Sequence, residues 1–206
     1  ICSIDTNEDF LANHPGDLRA FSAIGIGPGI GKEKYTRDLL WQMLQNREIP
    51  MVLDADALNI IAEEGWQEQI PAGTVITPHI GEFSRLFGTS DNHFDRIARA
   101  LEFSTRLGIF ILVKGQNSFL STPGGLGYFN STGNSGMAKA GAGDVLTGML
   151  TGLLAQKYSA EEACRISVFL HGMAGDMAKM EHSEFGVIAS DLIEKIGFCY
   201  LKVFNI

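Results

Sequence analysis

The stretch Thr132-Gly-Asn-Ser-Gly-Met-Ala-Lys-Ala-Gly-Ala-Gly-Asp-Val-Leu-Thr-Gly148 decides the fold, because a glycine-rich loop here runs directly into a helix. The helix is indicated by apolar residues that form one wide stripe at helical spacing: Val145, Leu146, Met149, Leu150, Leu153 and Leu154. The first turn of such a helix has N–H groups without intrahelical partners, which favour phosphate groups. The Gly-Lys-Ser/Thr ending of a P-loop is absent, so we expect a nucleotide site of another kind.

Asp144 stands in the first turn of this predicted helix, where a carboxylate interacts favourably with the helix dipole. Two roles are open to it. It can cap the helix, or it can act as a base beside amides that hold a phosphate.

Upstream of the loop, short apolar segments alternate with helical patterns. The predicted strands cover residues 21–26, 50–53, 74–77 and 109–113, and a hairpin pairs 119–120 with 127–129. Three helices follow, at about 144–157, 161–180 and 190–204. This alternation predicts an α/β fold, a three-layer sandwich with a mostly parallel central sheet, in a single domain over residues 1–206.

In open α/β sheets, ligands bind at the carboxyl ends of the strands, so the loops that follow the strands carry the candidate site. Gly27-Pro-Gly-Ile-Gly31 follows the first strand, where its glycines allow a ligand to approach the backbone or simply form a tight turn. Asp54-Ala-Asp56 follows the second strand. We expect one of these aspartates to cap the next helix and the other to face the cleft.

The next two loops each allow a functional and a structural interpretation. Thr77-Pro-His-Ile-Gly-Glu-Phe83 places His79 near Glu82, either for ligand binding and proton transfer or as a capping box. Val113-Lys-Gly-Gln-Asn-Ser118 offers an ammonium and backbone amides to a phosphate, or forms a turn with a solvated lysine. We predict structural or surface positions for the other histidines, which are His14, His93, His171 and His182.

Composition excludes several classes of protein. The chain has 206 residues, of which 45% are hydrophobic and 19% charged, which is enough apolar sequence for a sizeable core. A formal net charge of −8 without a basic stripe argues against nucleic-acid binding. No run approaches the roughly 20 apolar residues of a membrane span. The widely separated Cys2, Cys164 and Cys199 predict free thiols and a cytoplasmic protein.

Taken together and in this order, the loops resemble those of the NAD(P)H-hydrate dehydratase family, which has the ribokinase-like fold. The resemblance rests on a set of motifs: Gly27-Pro-Gly-Ile-Gly31, Leu53-Asp-Ala-Asp-Ala-Leu-Asn59, Thr77-Pro-His-Ile-Gly-Glu-Phe-Ser-Arg-Leu86, Lys114-Gly115, Thr132-Gly-Asn-Ser-Gly-Met137 and Gly141-Ala-Gly-Asp-Val-Leu-Thr-Gly148. It implies a metabolite-repair lyase that dehydrates (6S)-NADHX or (6S)-NADPHX, the hydrated cofactors, to NADH or NADPH. ADP is converted to AMP and phosphate in the reaction, ATP replaces it in some members, and Mg²⁺ is required. A vitamin-precursor kinase of the same superfamily, acting on hydroxymethylpyrimidine or hydroxyethylthiazole, and a non-catalytic nucleotide-binding module remain alternatives.

The resemblance also assigns roles to residues. Asp144 is the catalytic base and contacts the substrate hydroxyl. The other implied substrate-binding residues are Gly27, Gly29, Gly31, His79, Glu82 and Arg85. The implied nucleotide-binding residues are Lys114, Gly115, Gln116, Asn117, Ser118, Asn134, Gly136, Met137, Gly141, Ala142 and Gly143, and no metal ligand is assigned.

Further expectations come from the same resemblance. It implies a homotetramer with small-molecule ligands, in some proteins fused behind an NAD(P)H-hydrate epimerase domain. An N-terminal strand–helix segment of the family has no counterpart here, so we expect the domain to be incomplete at its N-terminus. Ser135 replaces a frequent proline and is expected to loosen its loop.

Overall fold

The computed structural model describes residues 5, 7, 11 and 16–204, and its centre is a six-stranded sheet in chain order. The strands are β1 (Ile24–Ile26), β2 (Met51–Leu53), β3 (Val75–Ile76), β4 (Phe110–Val113), β5 (Phe119–Ser121) and β6 (Gly127–Phe129). The first four are parallel, whereas β5 and β6 form an antiparallel hairpin that continues from β4. The predicted mostly parallel sheet and the predicted hairpin are both confirmed.

Seven α-helices accompany the sheet within the described part of the chain. They are α1 (Lys34–Leu44), α2 (Ala55–Glu64), α3 (Ile80–Phe87), α4 (His93–Leu107), α5 (Ala142–Ala155), α6 (Ala160–Gly186) and α7 (Ala189–Phe204). Helix α6 runs past its predicted end at residue 180 and bends at Ser183, where φ is 59°. Cys2 and His14 lie outside the described residues.

The three layers follow from the alternation of side chains along each strand. In β2, Met51 and Leu53 face the helices α1–α4, whereas Val52 faces α5 and α6. In β4, Ile111 faces the helices α1–α4, whereas Leu112 faces α5 and α6. These side chains are fully buried, as expected for parallel strands that are covered on both faces.

This layering brings the candidate loops to one edge of the sheet. Since β1–β4 are parallel, the loops that follow them emerge on the same side, next to the N-terminus of α5. Among residues 16–204, none of the helices is both long and apolar enough to cross a bilayer.

Candidate functional site

An ion pair between the buried Asp54 and the partly exposed Lys114 forms the centre of the site. Asp54 is 1% exposed, and its Oδ1 accepts a hydrogen bond from Lys114 Nζ at 2.6 Å. Its Oδ2 accepts from the hydroxyl of Thr147 on α5 at 2.9 Å. The backbone N–H of Lys114 donates to Pro78 O at 2.8 Å, next to the loop that follows β3. One carboxylate thus ties the ends of β2 and β4 to α5 and fixes the position of an ammonium group.

The two aspartates that follow β2 divide their roles differently from our prediction. Asp54 both caps α2, by accepting from the N–H of Ala55 at 2.8 Å, and faces the cleft through Lys114. Asp56 instead accepts from the N–H of Gly31 at 3.1 Å and so holds the glycine loop that follows β1. Gly27 of that loop has φ +137°, and a Cβ there would overlap the carbonyl oxygen of Asp54. The loop therefore needs glycine at this position in order to lie against Asp54.

The N-terminus of α5 lies beside the same ammonium. Gly141 turns the chain at φ +86°, and no side chain caps the helix that follows. The N–H groups of Gly143 and Asp144 belong to the first turn, where the helix provides no acceptor. A Cβ at Gly143 would lie 3.4 Å from Lys114 Nζ. Partial positive charge from the helix and the full charge of Lys114 converge here, which suits a phosphate group.

Asp144 is exposed at this position, and the capping role is not observed. Its carboxylate makes no hydrogen bond to the N-terminal amides of α5. Among residues 16–204 it also has no ion pair. The carboxylate is therefore free to accept a proton from a bound ligand.

His79 and Glu82 form the capping box that we considered for them. His79 Nδ1 accepts from the N–H groups of Gly81 and Glu82 at 3.0 and 3.2 Å, and Glu82 Oε2 accepts from the N–H of His79 at 2.8 Å. The His79 side chain remains 53% exposed at the edge of the cleft, whereas Glu82 is buried beneath it. The exposed Arg85 donates to Asn59 Oδ1 at 3.0 Å, which joins α3 to α2. Contact of these residues with substrate remains a prediction.

The loop that follows β4 closes on itself. The hydroxyl of Ser118 donates to Gly115 O at 3.3 Å, and the N–H of Gly115 lies 3.4 Å from the Ser118 oxygen. Gln116 and Asn117 form the exposed tip. Open space lies above Gly115, so a ligand can approach the backbone there.

Helix α6 supports the loop Thr132–Met137 from behind, through Asp176, a residue that our sequence analysis missed. Its Oδ2 accepts from the N–H of Gly133 and its Oδ1 from Asn134 Nδ2, both at 2.9 Å. Gly172 allows close approach, since a Cβ there would overlap Thr132 Oγ1. The sequence signal for this contact is a carboxylate at Asp176 in the same helical stretch as Gly172, Ala174 and Gly175, which allow close approach.

The second half of this loop also packs on α6. The side chain of Met137 lies against Gly175, and a Cβ at Gly136 would lie 2.7 Å from Glu184 O. The hydroxyl of Ser135 donates to Glu184 Oε2 at 2.5 Å, and the looser loop expected from the replacement of proline stays a prediction. The side chains of this half therefore face α6, and their contact with nucleotide remains a prediction.

His171 lies directly beneath the N-terminus of α5. It is buried, as predicted for a structural histidine, and its Nε2 lies 2.9 Å from Ala142 O. Burial lowers the pKa of His171 to about 4, the carbonyl of Ala142 opposes this shift, and the charge of Lys114 adds to it. The ring is therefore neutral at pH 7, and Nε2 carries the proton because a carbonyl oxygen only accepts. His93 and His182 are exposed, as predicted.

Two cavities flank the loop that follows β4, one on each face of the sheet. Cavity A, of about 550 Å³, lies against α6 and includes Ser118, Asn130 and Phe169. Cavity B, of about 370 Å³, lies against α4 and includes Lys114 and Arg96. Within the described part of the chain, no three His, Cys, Asp or Glu side chains are grouped closely enough to hold a metal ion by themselves.

Comparison with known proteins agrees with this architecture. A family model described as NAD(P)H-hydrate dehydratase matches residues 5–197. The bifunctional NAD(P)H-hydrate repair enzyme Nnr of Thermofilum pendens is 39% identical over 173 residues, which cover 82% of this chain and 33% of that protein. The chain thus spans about a third of the length of the curated relatives it matches.

Solved structures give the same fold. An ADP/ATP-dependent NAD(P)H-hydrate dehydratase from Bacillus subtilis, co-crystallised with ATP and Mg²⁺, matches with a TM-score of 0.75 and 29% identity, over 88% of this chain and 64% of that one. A ribokinase-like superfamily protein from Enterococcus faecalis matches with a TM-score of 0.76 and 25% identity, over 89% of this chain and 63% of that one. The predicted three-layer ribokinase-like sandwich is thereby confirmed.

Proposed function

The chain belongs to the NAD(P)H-hydrate dehydratase family, and from this premise we propose that it dehydrates the (6S) hydrates of NADH and NADPH at the expense of ADP. One observation carries the proposal. The exposed carboxylate of Asp144 has no partner among the described residues and lies in the helical turn whose amides, together with Lys114 Nζ, favour a phosphate. Phosphoryl transfer to a hydroxyl requires a base next to a phosphate site, and Asp144 lies next to this one.

In this proposal the donor nucleotide occupies the α6 side of the sheet. Its transferred phosphate lies at Gly141–Asp144, next to Lys114, and the rest of the nucleotide extends between the loop Lys114–Ser118 and the loop Thr132–Met137. The hydrated nicotinamide lies on the other side of Asp144, towards His79 and the glycine loop Gly27–Gly31.

The chemistry then follows from these positions. Asp144 accepts the proton of the substrate hydroxyl, whose oxygen forms a bond to the terminal phosphorus of ADP while the bond to AMP breaks. Lys114 and the amides at the start of α5 stabilise the charge on the transferred group. The phosphorylated hydrate then releases phosphate, a better leaving group than hydroxide, and loses a ring proton to restore the reduced nicotinamide.

The residues present fit a magnesium ion that is carried by the nucleotide. Mg²⁺ in such sites takes one or two protein carboxylates and completes its shell with phosphates and water. Asp144 is the carboxylate available here, since Asp54 is occupied by Lys114 and Thr147. When bound, the ion would neutralise phosphate charge.

Turnover of hydrated NADH by the full-length protein, with Mg²⁺ and with ADP, ATP or no nucleotide, tests the proposal. We expect the absorbance of the reduced nicotinamide to return with ADP and not without nucleotide. A stable phosphorylated product that accumulates would instead indicate a small-molecule kinase. No turnover with either nucleotide by a folded protein that binds ADP would contradict the dehydratase.

The Asp144→Asn variant tests the role of the base. We expect kcat to fall by about 100-fold or more, because general-base catalysis contributes at least that much. Thermal unfolding, and ADP binding measured by calorimetry without Mg²⁺, should both stay near wild type, because the Asp144 carboxylate makes no hydrogen bond or ion pair with the described residues. Unchanged turnover in this variant would contradict the role of Asp144 as the base.

We also propose a cytoplasmic homotetramer, which the family resemblance implies and sedimentation velocity tests. The bifunctional relatives support fusion to an NAD(P)H-hydrate epimerase domain in the full-length protein. An assay of the full-length protein for interconversion of the hydrate epimers tests that part.

A further inference from the structure

The phosphate site at the start of α5 consists of backbone that no side chain of the same turn holds in place. Gly141 turns the chain, Ala142 and Gly143 follow, and no side chain caps the helix. Two glycines in three residues leave the backbone without the steric restriction that a Cβ provides. The peptide groups that face a bound phosphate therefore need support from another element of the fold.

His171 of α6 provides such support from beneath the turn. The residue is 8% exposed, and its Nε2–H donates to the carbonyl oxygen of Ala142 at 2.9 Å. That carbonyl belongs to the same planar peptide group as the N–H of Gly143, and in a trans peptide the two point in opposite directions. His171 therefore holds one side of a peptide group whose N–H is directed away from the ring, in the first turn of α5.

This hydrogen bond is more than the fold itself requires. The carbonyl of Ala142 lies in a helix, where the N–H four residues later is its ordinary donor. An apolar side chain of similar size would fill the position without the cost of burying an imidazole. Ser167, one turn earlier on α6, is fully buried, and its hydroxyl has no hydrogen-bond partner among the described residues. Polar contacts are thus not a general requirement on the buried side of α6.

A neutral donor suits this position better than a charged one. Burial lowers the pKa of His171, and the nearby positive charge of Lys114 adds to the shift, so the ring is neutral at pH 7 and supplies only its N–H dipole. A donor at a carbonyl oxygen polarises the peptide group, which makes the N–H on the other side of that group a stronger donor. Negative charge at the N–H of Gly143 is therefore stabilised by the ring through the peptide group.

We propose that His171 is a positioning residue of the phosphate site, which orients and polarises the Ala142–Gly143 peptide group towards the terminal phosphate of the donor nucleotide. This inference rests on the proposed function for the identity of the donor. The effect falls on the terminal phosphate alone, because the rest of the nucleotide extends away from α5 between the loops Lys114–Ser118 and Thr132–Met137. His171 itself touches neither ligand.

Calorimetric binding of ADP and AMP to the full-length protein, without Mg²⁺, tests this with the variants His171→Leu and His171→Gln. AMP lacks the terminal phosphate, so the ratio of the two affinities measures what that phosphate contributes. We expect His171→Leu to lose about tenfold in affinity for ADP, as for the loss of one hydrogen bond, and to bind AMP as wild type does. His171→Gln can still donate to Ala142 O and should keep most of the affinity for ADP.

Ser167→Ala is the matched control, because it changes a buried polar side chain of the same helix one turn away. We expect it to leave the ratio of the ADP and AMP affinities unchanged. If His171→Leu does not fold, His171→Met replaces it, since the flexible methionine side chain adapts to the space. Equal losses of ADP and AMP binding in the His171 variant, or a changed ratio in Ser167→Ala, would overturn the positioning role, because a merely structural residue affects both nucleotides alike.

Turnover separates this inference from the proposed function. With ADP saturating, we expect His171→Leu to lower kcat about tenfold or more and to leave the KM for hydrated NADH unchanged, because the ring supports only the transferred phosphate. If wild type does not dehydrate the hydrate, but His171→Leu still loses ADP and not AMP affinity, only the proposed function is contradicted. An active wild type whose kcat and affinity ratio both survive His171→Leu would contradict the positioning role and leave the dehydratase in place.

Discussion

At the scale of single residues, Asp54 carries most of the connections of the site without needing to touch a ligand. Its two oxygens accept hydrogen bonds from Ala55, Lys114 and Thr147, and its backbone lies against Gly27. Removing one partner of a buried ion pair leaves an uncompensated charge, so Lys114 depends on Asp54 for its position. Anything that displaces Asp54 therefore displaces the ammonium at the phosphate site.

The substitution Gly27→Ala is expected to displace Asp54. A Cβ at Gly27 would overlap Asp54 O, and the residue also has a left-handed φ of +137°, so we expect a loss of about 3 kcal/mol in the free energy of unfolding. Activity should fall with it, because Lys114 moves. Urea unfolding and turnover of hydrated NADH measure the two effects.

Gly29→Ala is the matched control for this substitution. Gly29 also has a positive φ, of +64°, but a Cβ there would meet nothing within 4 Å. We expect a cost of about 1 kcal/mol from backbone strain alone. Equal losses in the two variants would show that contact with Asp54 is not what requires Gly27.

At the scale of elements, α6 acts as the support of the nucleotide site. Asp176 holds Gly133 and Asn134, and His171 holds the first residue of α5. These two polar side chains lie on one helix, so the loop Thr132–Met137 and the N-terminus of α5 share one rigid support. The relative position of the loop Thr132–Met137 and the N-terminus of α5 is therefore set by α6.

Asp176→Asn tests this role. The variant replaces one acceptor oxygen by a donor, so one of the two hydrogen bonds from Gly133 N–H and Asn134 Nδ2 is lost and the loop Thr132–Met137 is held less firmly. We expect the KM for ADP to rise about tenfold, with the KM for hydrated NADH near wild type, because only the donor side depends on this loop. Steady-state kinetics with each ligand varied in turn gives both values.

The control for this variant is Glu184→Gln on the same helix, whose exposed carboxylate accepts from Ser135 of the loop and also pairs with Lys179. We expect less than a twofold change in either KM, since an exposed contact contributes little. If Asp176→Asn alters the two KM values equally, α6 supports the whole site and not the donor loop in particular.

The elements themselves could be predicted from the sequence to a large extent. The alternation of apolar strands and helical stripes located β1–β4, the hairpin and the helices, since short buried strands and amphipathic helices have distinct periods. The loops of the candidate site followed, because parallel strands deliver their ends to one edge. Helix α6 was predicted to end at 180, because nothing in the local pattern indicates the bend at Ser183.

The contacts that hold the loops could not be predicted in the same way. Asp176 and Gly133 are separated by 43 residues, and Thr147 and Asp54 by 93, so no local spacing relates them. That Asp54 alone both caps α2 and pairs with Lys114, while Asp56 holds the glycine loop, could not be predicted for the same reason. Which aspartate faces the cleft depends on where Lys114 and Gly31 lie, and that is a property of the assembled sheet.

At the scale of the whole molecule, the positive charges beside the edge of the sheet contrast with the negative net charge of the protein. The N-terminus of α5 and Lys114 lie at the phosphate site, and Lys114 also lines cavity B together with Arg96 and His93. Both proposed ligands carry several negative charges, and the net charge of −8 repels them elsewhere on the surface. The global charge and the local charge of the site thus have opposite signs, which directs anionic ligands to the sheet edge.

Global stability should depend on pH through His171. Its pKa is about 4 in the folded protein and about 6.5 when the chain is unfolded, so between these values the unfolded state binds the extra proton. The contribution of the neutral His171 ring to the free energy of unfolding is complete above pH 6.5 and is lost as the pH falls towards 4. Between pH 7.5 and 5 we expect it to decrease by about 2 kcal/mol.

The comparison of wild type with His171→Gln isolates this contribution from the carboxylates, which titrate in both proteins. Glutamine can donate to Ala142 O but does not titrate, so its free energy of unfolding should fall less steeply on acidification. Urea unfolding at pH 5, 6 and 7.5 gives the difference between the two curves. Parallel curves would mean that protonation of His171 does not limit stability, and that the first turn of α5 tolerates a charged ring beneath it.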